Sequence, residues 1–238
     1  MFHRRAVLAA ALAAATLSGP WASAASLRVS PVTLEVTGVR RATSLSLIND
    51  ETRPINVQVR VFRWTQVDGA DRLEPTTDVV ASPPGTTLAP KAEYTVRIVR
   101  TSTRPVKGEE SYRLLVDEIP DPRARREGEI ALVMRHSIPV FFSDGAGAPP
   151  LVAWRIERKP EGLVLVARNG GGRRLRLADL EIKDVAGKVV HRHGGLAGYV
   201  LAGSEMRWLL KSGVAARALT ARSDAGRIDV SLAPPKEG

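Results

Sequence analysis

The residues able to do chemistry are few and poorly placed for it. The 238-residue chain has no Cys and only four His, at positions 3, 136, 191 and 193. His191-x-His193 sets two imidazoles on one face of a strand, as a metal site would want. No third ligand stands at a telling spacing, so the pair reads as polar residues flanking a turn. Asn169-Gly170-Gly171-Gly172-Arg173 has the glycines of a phosphate cradle without the Walker spacing or a following helix. It reads as a hairpin turn. Gly-x-Ser-x-Gly is absent, and Gly203-Ser204-Glu205 does not supply it. Adjacent carboxylates such as Asp117 and Glu118 point to opposite faces of a strand and cannot work on one substrate. The expectation is a non-enzymatic chain with no metal and no cofactor. What remains is binding chemistry. Arg97 and Arg113 lie on the off-core faces of their strands, and Arg135 lies opposite Leu132 and Met134. Each alone is a solvated charge; together they are candidates for holding a carboxylate, which Arg grips bidentately.

The element that would position these arginines is Glu129–Asp144, EIALVMRHSIPVFFSD. Ile130, Leu132, Met134, His136, Ile138, Val140 and Phe142 share one face at strict period two. At about 3.3 Å per residue this face extends roughly 40 Å, against roughly 17–20 Å for an ordinary strand. Pro139 has no N–H, which assigns the strand to a sheet edge or a bulge. A long apolar edge is an aggregation hazard unless it is covered. Two readings stand: a strand offered to a partner, or a kinked strand crossing two parts of one core.

The chain opens MFHRRAVLAAALAAATLSGPWASAAS. A basic stretch at 3–5, an apolar run at 6–17 and Ala22-Ser23-Ala24 predict a secretory signal peptide over 1–24, cleaved near Ala24. The run is too short to span a bilayer. The signal holds two of the 35 Lys+Arg and none of the 25 Asp+Glu, leaving 33 against 25, or +8. The arginines are dispersed, and an exported protein rarely meets nucleic acid, so no nucleic-acid partner is expected. Without disulfides the fold rests on its core alone, which roughly 210 residues can supply.

From 26 to 143 the sequence reads as short strands. These are Leu27–Val36 kinked at Pro31, Thr43–Asn49, Ile55–Val61, Asp78–Ala81, the runs around Tyr94–Ile98 and Tyr112–Val116, and the long stretch. Phe62 and Trp64 fall on the polar face of their strand, packing under a loop, the simpler reading, or sitting in a contact surface. Gly145–Pro150 is the linker candidate. Beyond it come Leu151–Glu157, Leu163–Asn169, Leu175–Lys183, Lys188–His191, Tyr199–Leu201, Glu205–Leu210, Ala216–Ala221 and Ile228–Leu232. Seven or so strands, twice, at this spacing predict an all-β chain of two immunoglobulin-like β-sandwich domains, 25–144 and 151–238, joined by 145–150.

SPVTLEV (30–36), Asn49-Asp50, VQVRVFRW (57–64), SPPGTTLAP (82–90), YTVRI (94–98), YRLLVDEIP (112–120) and ALVMRHSIPVFF (131–142) together resemble the periplasmic pilus-assembly chaperones of the chaperone–usher family. They are most similar to the archaic branch that serves Csu-type and spore-coat-U-like pili. The resemblance covers most of 26–143 and is weak over 151–232. It implies two immunoglobulin-like domains set at an angle, a periplasmic location, pilin or fimbrial subunits and an outer-membrane usher as partners, and a sticky strand that a self-capping dimer would shield. It also implies donor-strand complementation, in which the long strand fills the groove of a subunit lacking its last strand, and basic cleft residues anchor the subunit's C-terminal carboxylate. Carried over by position, Ile130, Leu132 and Met134 are donor side chains, with Ile138 the next apolar one in phase and, like Val140, nearer the chain's own core. P-pilus-type relatives use an Arg on the first strand and a Lys on the long strand as the anchor. Thr33 and Pro139 stand there, so Arg113, then Arg97 and Arg135, are the anchor candidates. Ser143 replaces the Arg that would reach Glu118 across the domains. The alternative class is an exported carbohydrate-binding module or hydrolase, which would need a polar cleft lined by aromatic side chains.

Overall fold

In the computed structural model the described residues are 27–120, 133–210 and 216–234, and every regular element among them is a strand. The first half forms β1 (Leu27–Ser30), β2 (Leu34–Thr37), β3 (Ala42–Asn49), β4 (Ile55–Val67), β5 (Ala70–Pro75), β6 (Val79–Ser82), β7 (Gly85–Leu88), β8 (Glu93–Arg100), β9 (Glu109–Ile119) and β10 (Arg135–Ser143). The second forms β11 (Val152–Lys159), β12 (Gly162–Asn169), β13 (Leu175–Lys183), β14 (Val189–Val200), β15 (Glu205–Leu209), β16 (Ala218–Ser223) and β17 (Gly226–Ser231).

The sheets sort by sequence. β1-β3-β8-β6 faces β2-β10-β9-β4-β5, with β7 also on β4; β11-β12-β15 faces β14-β13-β16-β17. Alternation supplies the reason. Leu45 and Leu47, Val96 and Ile98, Tyr112, Leu114 and Val116, and Ile138, Val140 and Phe142 turn one face of each strand into a common interior. Leu163, Leu165, Leu177, Ile182 and Leu219 do the same in the second half. The two immunoglobulin-like sandwiches expected from strand spacing are present.

Several local expectations are corrected. The stretch Leu27–Val36 is two strands, not one kinked strand: β1 pairs with β3, while β2 pairs in parallel with β10 in the other sheet. Lys188–His191 and Tyr199–Leu201 are parts of one irregular strand, β14, whose register against β13 shifts at three places. Gly170–Gly172 is not a hairpin turn, since β12 and β13 lie in different sheets. Its glycines allow backbone to lie on backbone: a Cβ on Gly171 would sit 2.2 Å from the Pro149 carbonyl oxygen. Asn169 organises this crossing, its amide donating to the Arg173 and Val200 carbonyls and its oxygen accepting from the amides of Leu151 and Gly171.

The reading of Trp64 as packed under a loop is corrected in part. It is 2% exposed, and its cover comes from the second half of the chain, from Tyr199 near the end of β14 and Leu201 in the connection that follows. Trp64 and Phe141, both on the outer face of the first sandwich, cluster with Tyr199 and Leu201. The β4–β5 hairpin reinforces this junction. Gln66 donates to the Tyr199 carbonyl at 2.8 Å and accepts from the Leu201 amide at 2.9 Å. Gly69 at its tip accepts from the Arg207 amide at 3.1 Å.

Candidate functional site: an open strand edge beside an arginine cleft

β10 is paired along its whole length on one side only. Arg135–Ser143 run antiparallel to Glu109–Asp117 of β9. On the other side β2 covers Val140–Ser143 and no more. Upstream, Arg135–Pro139 meet no described strand on that side, so their backbone groups form an unsatisfied template. Pro139 lies within this open stretch, at a position that demands no N–H from it.

Of the expected donor side chains, Ile130 and Leu132 lie outside the described residues. Met134 is 41% exposed and Val133 53%. Ile138 is corrected: at 3% exposure it is part of the chain's own core, and the sandwich interior holds it away from any partner.

The open edge is rooted by ions. Asp117, in register with Arg135, accepts from Arg60 at 2.6 Å and from Arg135 on its other oxygen. The Glu118 amide donates to the Met134 carbonyl at 3.1 Å, continuing the pairing outward. Burial opposes the Asp117 charge, and the two guanidiniums outweigh it, so its carboxyl titrates below the usual value. A carboxyl depressed in the folded state contributes stability that is present above its unfolded pKa and lost as pH falls through its folded one. Acid unfolding followed from neutral pH downward should therefore show Asp117→Asn about 1 kcal/mol less stable near pH 7. The two proteins should converge below the Asp range; parallel curves would show that the triad does not stabilise the root.

Arg113 lies two residues along β9 from Ser111, the register partner of Phe141, and pairs with both Pro139 and Phe62. Its guanidinium sits 3.7 Å over the Trp64 ring and 5.7 Å from the Tyr199 ring. Trp64 and Tyr199 meet edge to face at 5.3 Å. Aromatic side chains from both sandwiches therefore hold one arginine. No described carboxylate pairs with it. Burial draws its pKa below the ordinary value, offset in part by Asp71 and the Tyr199 phenol.

A second arginine brackets the same aromatic knot from the other side. Arg174 lies 3.5 Å over the Phe141 ring and pairs with Glu109 and Glu35. Its backbone amide also donates to Glu109 at 3.0 Å. This triad ties the second half to the first. The contrast is informative. One arginine has two carboxylates; the other, also stacked, has none among the described residues and lies on the face that carries the open edge of β10.

The other two candidates are not brought to this point. Arg97 is exposed on β8, in the opposite sheet. Arg135 is engaged by Asp117. His191 and His193 follow the register of β14, and no group of three metal-ligating side chains occurs among the described residues. Tyr199, Gln66, Arg174 and Glu109 were missed by reading the sequence, since each acts on a partner 65 or more positions away. The aromatic-lined open cleft required by a carbohydrate site is not formed by Trp64, Phe141 and Tyr199, which are 2%, 1% and 4% exposed.

Residues 26–144 match the family described as pili and flagellar-assembly chaperone, PapD N-terminal domain. No curated protein matches the chain. Among solved structures, it is similar to the CsuC–CsuE chaperone–tip adhesion subunit pre-assembly complex from the archaic chaperone–usher Csu pili of Acinetobacter baumannii. The TM-score there is 0.72 at 22% identity, covering 87% of this chain and 98% of that one. The E. coli chaperone DraB gives 0.61 at 22% identity, covering 87% and 97%. The Salmonella enterica SafA pilin–SafB chaperone complex gives 0.64 at 18%, covering 89% and 99%. At these identities the likeness is one of fold.

Proposed function

The chain belongs to the pili and flagellar-assembly chaperone family, and we propose that it captures pilus subunits in the periplasm by donor-strand complementation and passes them to an outer-membrane usher. The observation that carries the reading is the open edge of β10 beside a stacked arginine that no described carboxylate pairs with. A subunit strand pairs with the free backbone of Arg135–Pro139 and the residues before them, which supplies affinity for many subunits. Met134, in phase with Leu132 and Ile130, enters the subunit's groove and supplies fit. Each such side chain contributes about 1.5–3 kcal/mol when fully buried. The subunit's terminal carboxylate meets the Arg113 guanidinium in the cleft, a charge-assisted bidentate pair in a partly desolvated place. Capture of this kind breaks no covalent bond and calls for no catalytic group.

The supporting frame is proposed with it: a signal peptide over 1–24, a strand-donating domain over 25–144, a linker over 145–150 and a second domain over 151–238. A dimer shielding the edge in the absence of subunit fits the same exposed backbone.

Met134→Asp tests the reading. Co-expressed in the periplasm with a pilin subunit from its own pilus gene cluster, the variant should recover roughly ten- to a hundredfold less subunit than the wild type, as expected for a lost apolar insertion. Since Met134 is exposed in the free chain, its circular dichroism and thermal midpoint should not move. Equal recovery would sink the proposal.

A further inference from the structure

The second sandwich is one strand short along one side. Among the described residues β11-β12-β15 has three strands and β14-β13-β16-β17 has four. β14 and β15 meet along one side, where the Trp208 indole donates to the Ala197 carbonyl at 3.0 Å. β11 and β17 therefore lie toward the other, and no described strand of the smaller sheet stands opposite β17. The core thins there. Leu219 and Ala221 of β16 are enclosed, whereas Ile228 and Val230 of β17 are only half-buried. Beside this seam, Arg155–Lys159 of β11 and the Ala233-Pro234 pair after β17 line a cavity of about 460 Å³.

β11 is itself an open edge. Val152–Lys159 pair with β12 on one side without a register shift, and meet no described strand on the other. At about 3.3 Å per residue these eight residues offer roughly 26 Å of backbone. Proline, a bulge or a covering element would blunt such an edge, and β11 has none of these among the described residues. What it carries is positive charge. From 151 to 238 there are 16 Lys and Arg against nine Asp and Glu, or +7, while 25–144 holds 17 against 16, or +1. At the cavity, Arg158 is exposed and pairs with no described carboxylate, and Lys159 reaches Glu157 at 3.7 Å.

We infer that β11 is a docking site for an extended acidic segment of another protein. The segment adds as a fourth strand beside β11. Its alternate apolar side chains enter the seam over Ile228 and Val230, and a carboxylate at one end meets Arg158 and Lys159. Like charge disfavours a second copy of this chain at the same edge. The site lies in the other sandwich from the open edge of β10 and does not depend on strand donation.

The test titrates the mature chain with capped ten-residue peptides that alternate Val with Thr and end in two Asp or two Lys, and amide hydrogen exchange locates the bound strand. The Asp peptide should protect amides within 152–159, and the Lys peptide should bind about tenfold more weakly or worse. Arg158→Glu combined with Lys159→Glu should reverse that preference. Both side chains are exposed, so the circular dichroism of the double variant should match the wild type. An Asp peptide N-methylated at alternate residues keeps its charge, loses its backbone donors and should not bind. The inference is overturned if protection falls on 135–139 or nowhere, if the double variant takes the Asp peptide as well as the wild type does, or if the N-methylated peptide binds equally. Protection of 152–159 that rises with protein concentration in the absence of peptide would assign the edge to a second copy, and overturns it too.

Discussion

Replacing Arg113 by Ala should lower subunit affinity by about 2–5 kcal/mol, the usual cost of truncating one partner of a desolvated, hydrogen-bonded charge pair. That corresponds to roughly thirty- to several-thousandfold in Kd. The effect should fall on binding and not on folding. Arg113 forms no ion pair with a described residue, and burial already works against its charge. What the fold loses is the guanidinium stacked 3.7 Å over Trp64, about 0.5–2 kcal/mol for a cation–π contact. Arg113→Lys keeps a charge but not the flat group that stacks on Trp64 and grips two carboxylate oxygens, so it should fall between. The decisive measurement compares a peptide of the subunit's C-terminal strand carrying a free carboxylate with the same peptide amidated. Wild-type chaperone should prefer the acid, and Arg113→Ala should bind acid and amide alike. If the wild type does not distinguish them, the anchor lies elsewhere.

Arg174→Ala should produce the largest loss of stability. Its removal leaves Glu109, whose side chain is 1% exposed, as a buried charge without its partner. Breaking a buried pair from one side costs about 3–5 kcal/mol. At about 2–4 °C per kcal/mol for a chain of this size, the thermal midpoint should fall by roughly 10 °C. The lost contacts join the two sandwiches, so calorimetry should show one transition separating into two. Subunit capture should weaken as well, since Tyr199 and Trp64 come from different sandwiches and hold Arg113 between them. Arg174→Met combined with Glu109→Gln removes both charges and should recover most of the midpoint. A single substitution costing less than about 1 kcal/mol would mean that Gln66 and the aromatic knot suffice to join the halves.

The two charges that matter most were unequally legible before the structure. Arg113 stood out because alternation placed it opposite Tyr112, Leu114 and Val116, and because Thr33 and Pro139 occupy the usual anchor positions of the resembled family. Arg174 did not, since it follows a glycine run that reads equally well as a turn. The flanking strands show why. Residues such as Val57 and Val59, or Val96 and Ile98, announce their face by period two. Every residue of β5 is exposed, so it has no apolar period and went unread. β7 has only four residues. Trp64 was placed on the correct face, but sequence alone cannot say that a second sandwich covers that face.

By itself, then, the sequence determined the strand-rich class, the off-core phase of Arg113 and the excess length of the apolar stretch ending at Phe142. Periodicity and breakers are local, and a local pattern is enough to set them. Only the tertiary structure decided which part of that stretch is spent inside. β2 ends its parallel pairing at Val140, Ile138 is enclosed, and the open edge begins at Pro139. Only it decided which arginine is left without a described carboxylate, because Asp117 reaches Arg135 and Glu109 reaches Arg174 through register and packing. Charge pairing is a property of distances between strands far apart in the chain, and those distances exist only once both sandwiches have closed and docked.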